Sequence, residues 1–189
     1  VTDRERHVIR QIGDAMRHHR VRRRRLRRRG VIPVLLAAGL GLTVAVPPRP
    51  LLVWNASASV PVGLYAITAA NDPAVHDMVL ARLPARWRAF ADARRYVPTG
   101  VPLVKRIAAT SGDTVCAMGK TITINGRRRA ERRLRDGQHR RMPWWRGCIV
   151  LRHGAVFLLT GNPASFDGRY FGPVGRDAII GRAHLLWAR

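Results

Sequence analysis

The sequence predicts a mainly β domain carried behind one N-terminal transmembrane helix. Three features predict it. Residues 31–46 hold no charged side chain and directly follow a block of arginines. Beyond residue 50 the chain breaks into short apolar runs, rich in β-branched residues and punctuated by Gly, Pro and Asn. Asn125-Gly126 lies between two such runs, and this dipeptide suits a two-residue hairpin turn because both positions take positive φ.

The N-terminal segment, residues 1–29, is polar and basic, with a short helix expected over Glu5–Met16. Nine arginines crowd into residues 17–29 of a chain whose formal net charge is +24. Such a surface attracts anionic lipid and nucleic acid alike. Beside an apolar run the block reads as a topology and lipid-surface signal that keeps residues 1–29 in the cytoplasm. No specific nucleic-acid site is expected.

The apolar run is 16 residues long and stops at Pro47-Pro48. A helical span takes roughly 17–25 residues, so the run is marginal. Snorkelling by Arg29 and the apolar character of Leu51–Trp54 extend it. We therefore expect an anchor over residues 30–50 and a catalytic domain over residues 51–189 on the periplasmic side of the inner membrane. A cleaved signal peptide shares this layout. Ala56-Ser57-Ala58 even resembles a cleavage site, but it ends 12 residues beyond Val46.

With 189 residues, 47 % of them apolar, the chain can build one ordinary core besides the anchor. Strands are expected at Gly63–Ile67, Asp77–Leu83, Leu103–Thr110, Thr114–Cys116, Thr121–Ile124, Cys148–Leu151, Val156–Leu159 and Ala178–Trp187. Pro84–Arg95 reads as a short helix with Trp87, Phe90 and Ala91 on one face. Residues 127–141, dense in arginine, read as an exposed loop. Trp144-Trp145 fits either a core position or an aromatic belt at the membrane interface. Cys116 and Cys148 suit either two thiols or one bridge, and no metal-ligand spacing is present. Neither a metal nor a cofactor is expected.

Of 35 basic residues only Lys105 and Lys120 are lysine. A lysine kept where the chain otherwise uses arginine points to something arginine cannot do. Arginine stays protonated at any working pH, whereas a desolvated lysine can lose its proton. Lys105 lies in the strand pattern Leu103-Val104-Lys105-Arg106-Ile107, where it would share an inward face with Leu103 and Ile107. A neutral amine there can take a proton from a serine hydroxyl. Ser59 is the candidate hydroxyl: small residues precede it in Asn55-Ala56-Ser57-Ala58-Ser59, and Pro61 and Gly63 follow. A Ser/His/Asp triad lacks support, since His153 and His184 have no recognisable context and no Gly-x-Ser-x-Gly elbow exists.

Four blocks in order resemble the type I signal peptidase superfamily, in the branch of conjugative-transfer maturation peptidases known as TraF. Ser59-Val60-Pro61-Val62-Gly63-Leu64-Tyr65 resembles its nucleophile block. Pro102-Leu103-Val104-Lys105-Arg106-Ile107, followed by Ser111-Gly112-Asp113-Thr114-Val115, resembles its lysine strand. Ile124-Asn125-Gly126 matches a family hairpin. Ser165-Phe166-Asp167-Gly168-Arg169-Tyr170-Phe171-Gly172-Pro173 resembles the last block, ahead of Ile180-Gly181-Arg182-Ala183. Housekeeping members have Met after the nucleophile and Pro three positions on, where this chain has Val60 and Pro61. They also have Gly-Asp-Asn-Arg where this chain has Gly161-Asn162-Pro163-Ala164.

The resemblance implies a signal-peptidase-like β-rich fold and a serine endopeptidase working through a Ser/Lys dyad. Ser59 would be the nucleophile and Lys105 the general base. The Ser59 N–H and the Ser57 hydroxyl would receive the oxyanion, Ser165 would orient the lysine, and Asp167 and Arg169 would brace the site as an ion pair. A pair of cysteines placed like Cys116 and Cys148 recurs in such sequences, and outside the cytoplasm a bridge would form. The expected substrate is an exported, pilin-like precursor, with membrane lipid and type IV secretion components as further partners. Two rivals remain: a housekeeping signal peptidase of general secretion, and a non-enzymatic basic membrane component of a DNA-transfer apparatus.

Overall fold

The computed structural model describes residues 30–42 and 50–189. The expected helix at Glu5–Met16, the arginine block and residues 43–49 of the expected anchor lie outside the described residues. Contacts divide the chain into two compact units, Val1–Arg49 and Pro50–Arg189.

In the first unit residues 30–42 form helix α1, every residue of which is exposed. Val31, Ile32, Val34, Leu35 and Leu36 are each at least half exposed. An apolar surface on all sides of a helix marks one that needs an apolar surrounding. No helix among the described residues is long and apolar enough to cross a membrane.

The second unit is built from two antiparallel sheets. The first holds six strands: β1 (Leu52–Asn55), β2 (Gly63–Thr68), β10 (Ile179–Ala188), β3 (Met78–Ala81), β4 (Leu103–Ala109) and β9 (Phe157–Leu159), in that spatial order. The second holds β7 (Arg127–Glu131), β6 (Thr121–Ile124), β5 (Thr114–Met118) and β8 (Gly147–Val150), again in spatial order. Helix α2 (Ala85–Ala93) links β3 to β4, and the single turn α3 (Gly168–Phe171) follows β9.

Alternation explains the larger sheet. Its strands send Val79, Ala81, Leu103 and Ile107 to one face, into a core with Leu158, Phe166, Tyr170 and Phe171. Tyr65, Leu80 and Val104 go to the other face, with Ala183. Helix α2 buries Ala91 and lays Trp87 and Phe90 against the first core, as the sequence pattern predicts. Asn125 and Gly126, at φ 50° and 76°, make the two-residue turn between β6 and β7.

Two expectations are corrected. Leu52–Asn55 are strand β1, paired with β2, rather than an extension of the anchor; their apolar character serves a sheet. Arg127–Glu131, expected in a loop, are the edge strand β7. Charge on both faces hides the period of an edge strand, and charged side chains also keep such an edge from pairing with another chain. Within the same Arg-rich stretch Arg132 is 2 % exposed, donating to the Trp145 and Gly119 carbonyls with its guanidinium over the Trp144 ring. Trp145 packs against the core under the second sheet and donates Nε1–H to Gly168 O at 3.0 Å, so this pair serves packing.

Candidate active site

The loop between β1 and β2 carries Ser59, and one buried side chain organises it. Asn55, the last residue of β1 and 8 % exposed, donates its amide to Ser57 O at 2.8 Å, Pro61 O at 3.0 Å and Val60 O at 3.3 Å. Its Oδ1 accepts from Ser57 N at 3.2 Å. The Tyr65 hydroxyl donates to Pro61 O at 2.8 Å, and Asn162 donates to Ala58 O at 3.2 Å. Five of the loop's backbone carbonyls and amides are thereby held by side chains outside it or at its base. Gly63 ends the loop because a Cβ there would collide with the Trp187 carbonyl of β10.

Lys105 sits in the middle of β4, paired with Val79, and is 3 % exposed. Its Nζ donates to Ser165 Oγ at 2.7 Å. Burial pulls the amine down from 10.5 to about 8; the Asp167 charge opposes this and the Arg169 charge adds to it. A lysine in this state is a usable base near neutral pH, which no arginine could be.

Ser165 is held by the chain around it. Its N–H donates to Asn162 O at 3.1 Å, and the following residues enter α3. Asp167 caps that turn, accepting from Arg169 N at 3.1 Å through Oδ1 and from Thr160 N at 3.2 Å and Thr160 Oγ1 at 3.3 Å through Oδ2. Arg169 Nε lies 3.2 Å from Asp167 Oδ1, and both side chains are almost wholly buried. Arg169 Nε lacks a well-aligned hydrogen bond, so this is a charge contact, while Nη2 donates to Thr160 O. Burial pushes the Asp167 carboxyl up, and the charges of Arg169 and Lys105 pull it back down. Gly168 is required at the next position, where a Cβ would press on Leu158 O and the Phe157 ring.

Ser57, Ser59, Lys105 and Ser165 line one cavity of about 610 Å³. Within it the polar heads form two separate pairs. Ser57 Oγ donates to Ser59 Oγ at 3.0 Å and accepts from Ser59 N at 3.3 Å. Lys105 is bound to Ser165, and no hydrogen bond joins Ser59 to Lys105. The two groups expected to receive an oxyanion are thus paired with each other, available to a carbonyl that displaces them. Asp167 and Arg169 stand behind Lys105 and do not line the cavity.

Cys116 and Cys148 face one another across β5 and β8 and form a disulfide. The bridge belongs to the second sheet and supplies nothing to the cavity. Among the described residues no cluster of His, Cys, Asp or Glu could hold a metal ion.

Sequence reasoning passed over Asn55 and Thr160. An Asn at the end of an apolar strand, just before a run of Ala and Ser, is the available signal for the first. Thr160 gives none, because its partners arrive from seven and nine residues away through the fold.

Residues 24–188 match the family described as signal peptidase, peptidase S26. A probable conjugal transfer protein TraF of Sinorhizobium fredii is 35 % identical over 140 residues, covering 68 % of this chain and 73 % of that one. A plasmid transfer protein TraF of Escherichia coli is 32 % identical over 147 residues, covering 70 % of this chain and 82 % of that one. A crystal structure of a signal peptidase I from Enterococcus faecalis aligns with 59 % of this chain and 97 % of its own, at 21 % identity and a TM-score of 0.34.

Proposed function

The chain belongs to the signal peptidase family, peptidase S26, and from that membership we propose that it is a membrane-anchored serine endopeptidase that matures an exported precursor. Ser59 is the nucleophile and Lys105 the general base. The observation that carries this reading is Lys105: a buried lysine with its pKa drawn down to about 8, sharing a cavity with a serine on a tightly held loop.

The steps follow from the groups present. A substrate carbonyl enters between the two polar pairs and takes the Ser59 N–H and the Ser57 hydroxyl as donors. The Ser59 hydroxyl, released from Ser57, gives its proton to neutral Lys105 Nζ as Oγ attacks the carbonyl carbon. The tetrahedral intermediate collapses, the C–N bond breaks, and Lys105 returns the proton to the leaving amine. Water then gives a proton to Lys105 as it attacks the acyl carbon; the bond from that carbon to Ser59 Oγ breaks, and Lys105 returns the proton to Oγ, releasing the carboxylic acid product. Ser165 Oγ holds the lysine amine in place throughout, and the Asp167–Arg169 pair holds the turn that carries Ser165.

The substrate in this reading is a pilin-like precursor or another conjugative transfer protein, cut after small residues such as Ala. The transfer proteins among its relatives support it, as does Val60 in place of the housekeeping Met. Apolar α1 supports an inner-membrane anchor, with the catalytic unit on the periplasmic side near membrane lipid and type IV secretion components.

Precursor processing in cells carrying Ser59→Ala or Lys105→Arg tests the dyad. Lys105→Arg keeps the positive charge but cannot release a proton, so both variants accumulate precursor, with rates lowered by at least about 100-fold. Normal processing by either variant would sink the reading in favour of a non-enzymatic role.

A further inference from the structure

Ser59 borders a second cavity, of about 430 Å³, whose charged lining is basic: Arg106 and Arg129, with His76 beside them. Among the described residues no carboxylate lines it. The nearby acids are already engaged, Asp77 with Arg182 at 2.8 Å and Glu131 with Arg128. Among the described residues the side chains of Arg106 and Arg129 have no carboxylate or carbonyl partner, and both residues are exposed.

Two strand irregularities build this site. Arg106 follows Lys105 on β4 and points to the opposite face of the sheet. Arg129 comes from the other sheet, where pairing jumps from Ile122–Ala130 to Thr123–Arg128 and leaves Arg129 as the extra residue of a bulge. Ala108, also in the lining, is the extra residue where β4 pairing with β9 jumps from Ile107 to Ala109. A bulge re-aims side chains and bends its strand, and both bulges turn toward the same space.

The two cavities meet at Ser59. A peptide lying across the nucleophile puts the residues on one side of the scissile bond into the Lys105 cavity and those on the other side into the basic one. Among the described residues that line the first cavity, Lys105 is the one with a formal charge. We propose that the second is a specificity site for an acidic side chain of the substrate, on the flank of the scissile bond facing away from Lys105, with Arg106 and Arg129 as its cations. The proposal rests on the peptidase reading for its substrate, but its binding test does not depend on catalysis.

The test uses full-length Ser59→Ala chain in neutral detergent micelles and matched fluorescent peptides. The peptides carry Ala at the scissile position and Glu, Gln or Lys on one flank, in a series for each flank. In one series the Glu peptide binds about tenfold more tightly than the Lys peptide, and the preference fades with salt. Adding Arg106→Gln and Arg129→Gln removes the preference and leaves the Gln peptide unchanged. Adding Arg146→Gln and Arg152→Gln, which takes away the same charge elsewhere on the surface, leaves the preference intact. A preference that survives the first pair, falls equally with the second, or is absent in both series overturns the proposal, as does a loss shared by all three peptides. Cleavage of the same peptides by the unmodified chain reports separately: no Ser59-dependent cleavage alongside a retained Glu preference would sink the peptidase reading and leave the basic site standing.

Discussion

Lys105 is costly to the fold in the state in which it is made. Its folded pKa, about 8, lies below the unfolded value of 10.5, so below pH 8 the folded chain carries a desolvated charge. Between these values the unfolded chain binds more protons, and stability rises with pH through that window. Lys105→Met therefore unfolds at higher denaturant than the parent at pH 7, by up to about 3 kcal/mol, and the gap closes as pH rises from 8 toward 10.5. With Lys105 as the proposed base, the same titration sets activity: the cleavage rate is expected to climb with pH through about 8 as the amine loses its proton, and a pH–rate profile flat across that range excludes Lys105 as the base. Asn55 offers a second test at this scale. Asn55→Ala frees the Ser57 and Val60 carbonyls and the Ser57 amide and leaves Pro61 O to the Tyr65 hydroxyl alone, and a nucleophile misplaced by about 1 Å loses on the order of 100-fold in rate. The expected loss is in kcat, with Tm little changed.

The elements show what local pattern can and cannot convey. Strands β2 and β6 alternate between a packed and a less packed side, β4 does so from Lys105 onward, and each is legible in the sequence. β1 merges with an apolar stretch that reads as membrane-facing, and β7 is masked by its arginines, since an edge strand needs no apolar face. Lys105 was legible as an anomaly among arginines. Ser59 was legible only together with Lys105 through the family blocks, for a serine in a loop of small residues has no pattern of its own. Asn55 and Thr160 act through backbone groups that only the folded loops bring near. The disulfide is an element-scale feature with its own test. It ties β5 to β8, the edge strand opposite β7, and closes a separation of 32 residues. The chain-entropy relation gives such a loop about 3–4 kcal/mol. Replacing both cysteines with serine lowers stability by that order. Hydrogen exchange should locate the loss in the second sheet, with the amides of β3 and β4 keeping their order of protection.

At the scale of the whole molecule, charge and greasiness are segregated along the chain. Twelve arginines precede residue 30, α1 is uncharged, and residues 50–189 carry the proposed catalytic groups. Leu35 and Leu36 are 65 % and 69 % exposed, apolar surface that water would not tolerate over a whole helix. In the anchored reading this surface meets lipid, and the arginines hold their end at the cytoplasmic face. The anchor then raises the local concentration of enzyme around a precursor confined to the same membrane, without altering the site itself. Leu35→Arg with Leu36→Arg separates the two contributions, because each arginine at the centre of a span costs about 2.5–3.5 kcal/mol of insertion. The doubly substituted full-length chain leaves the membrane fraction on alkaline extraction and processes the membrane-held precursor poorly. Its rate on a short soluble peptide stays that of the parent. A variant that remains in the membrane fraction, or one that loses peptide cleavage along with precursor processing, shows that α1 does something other than hold the enzyme beside its substrate.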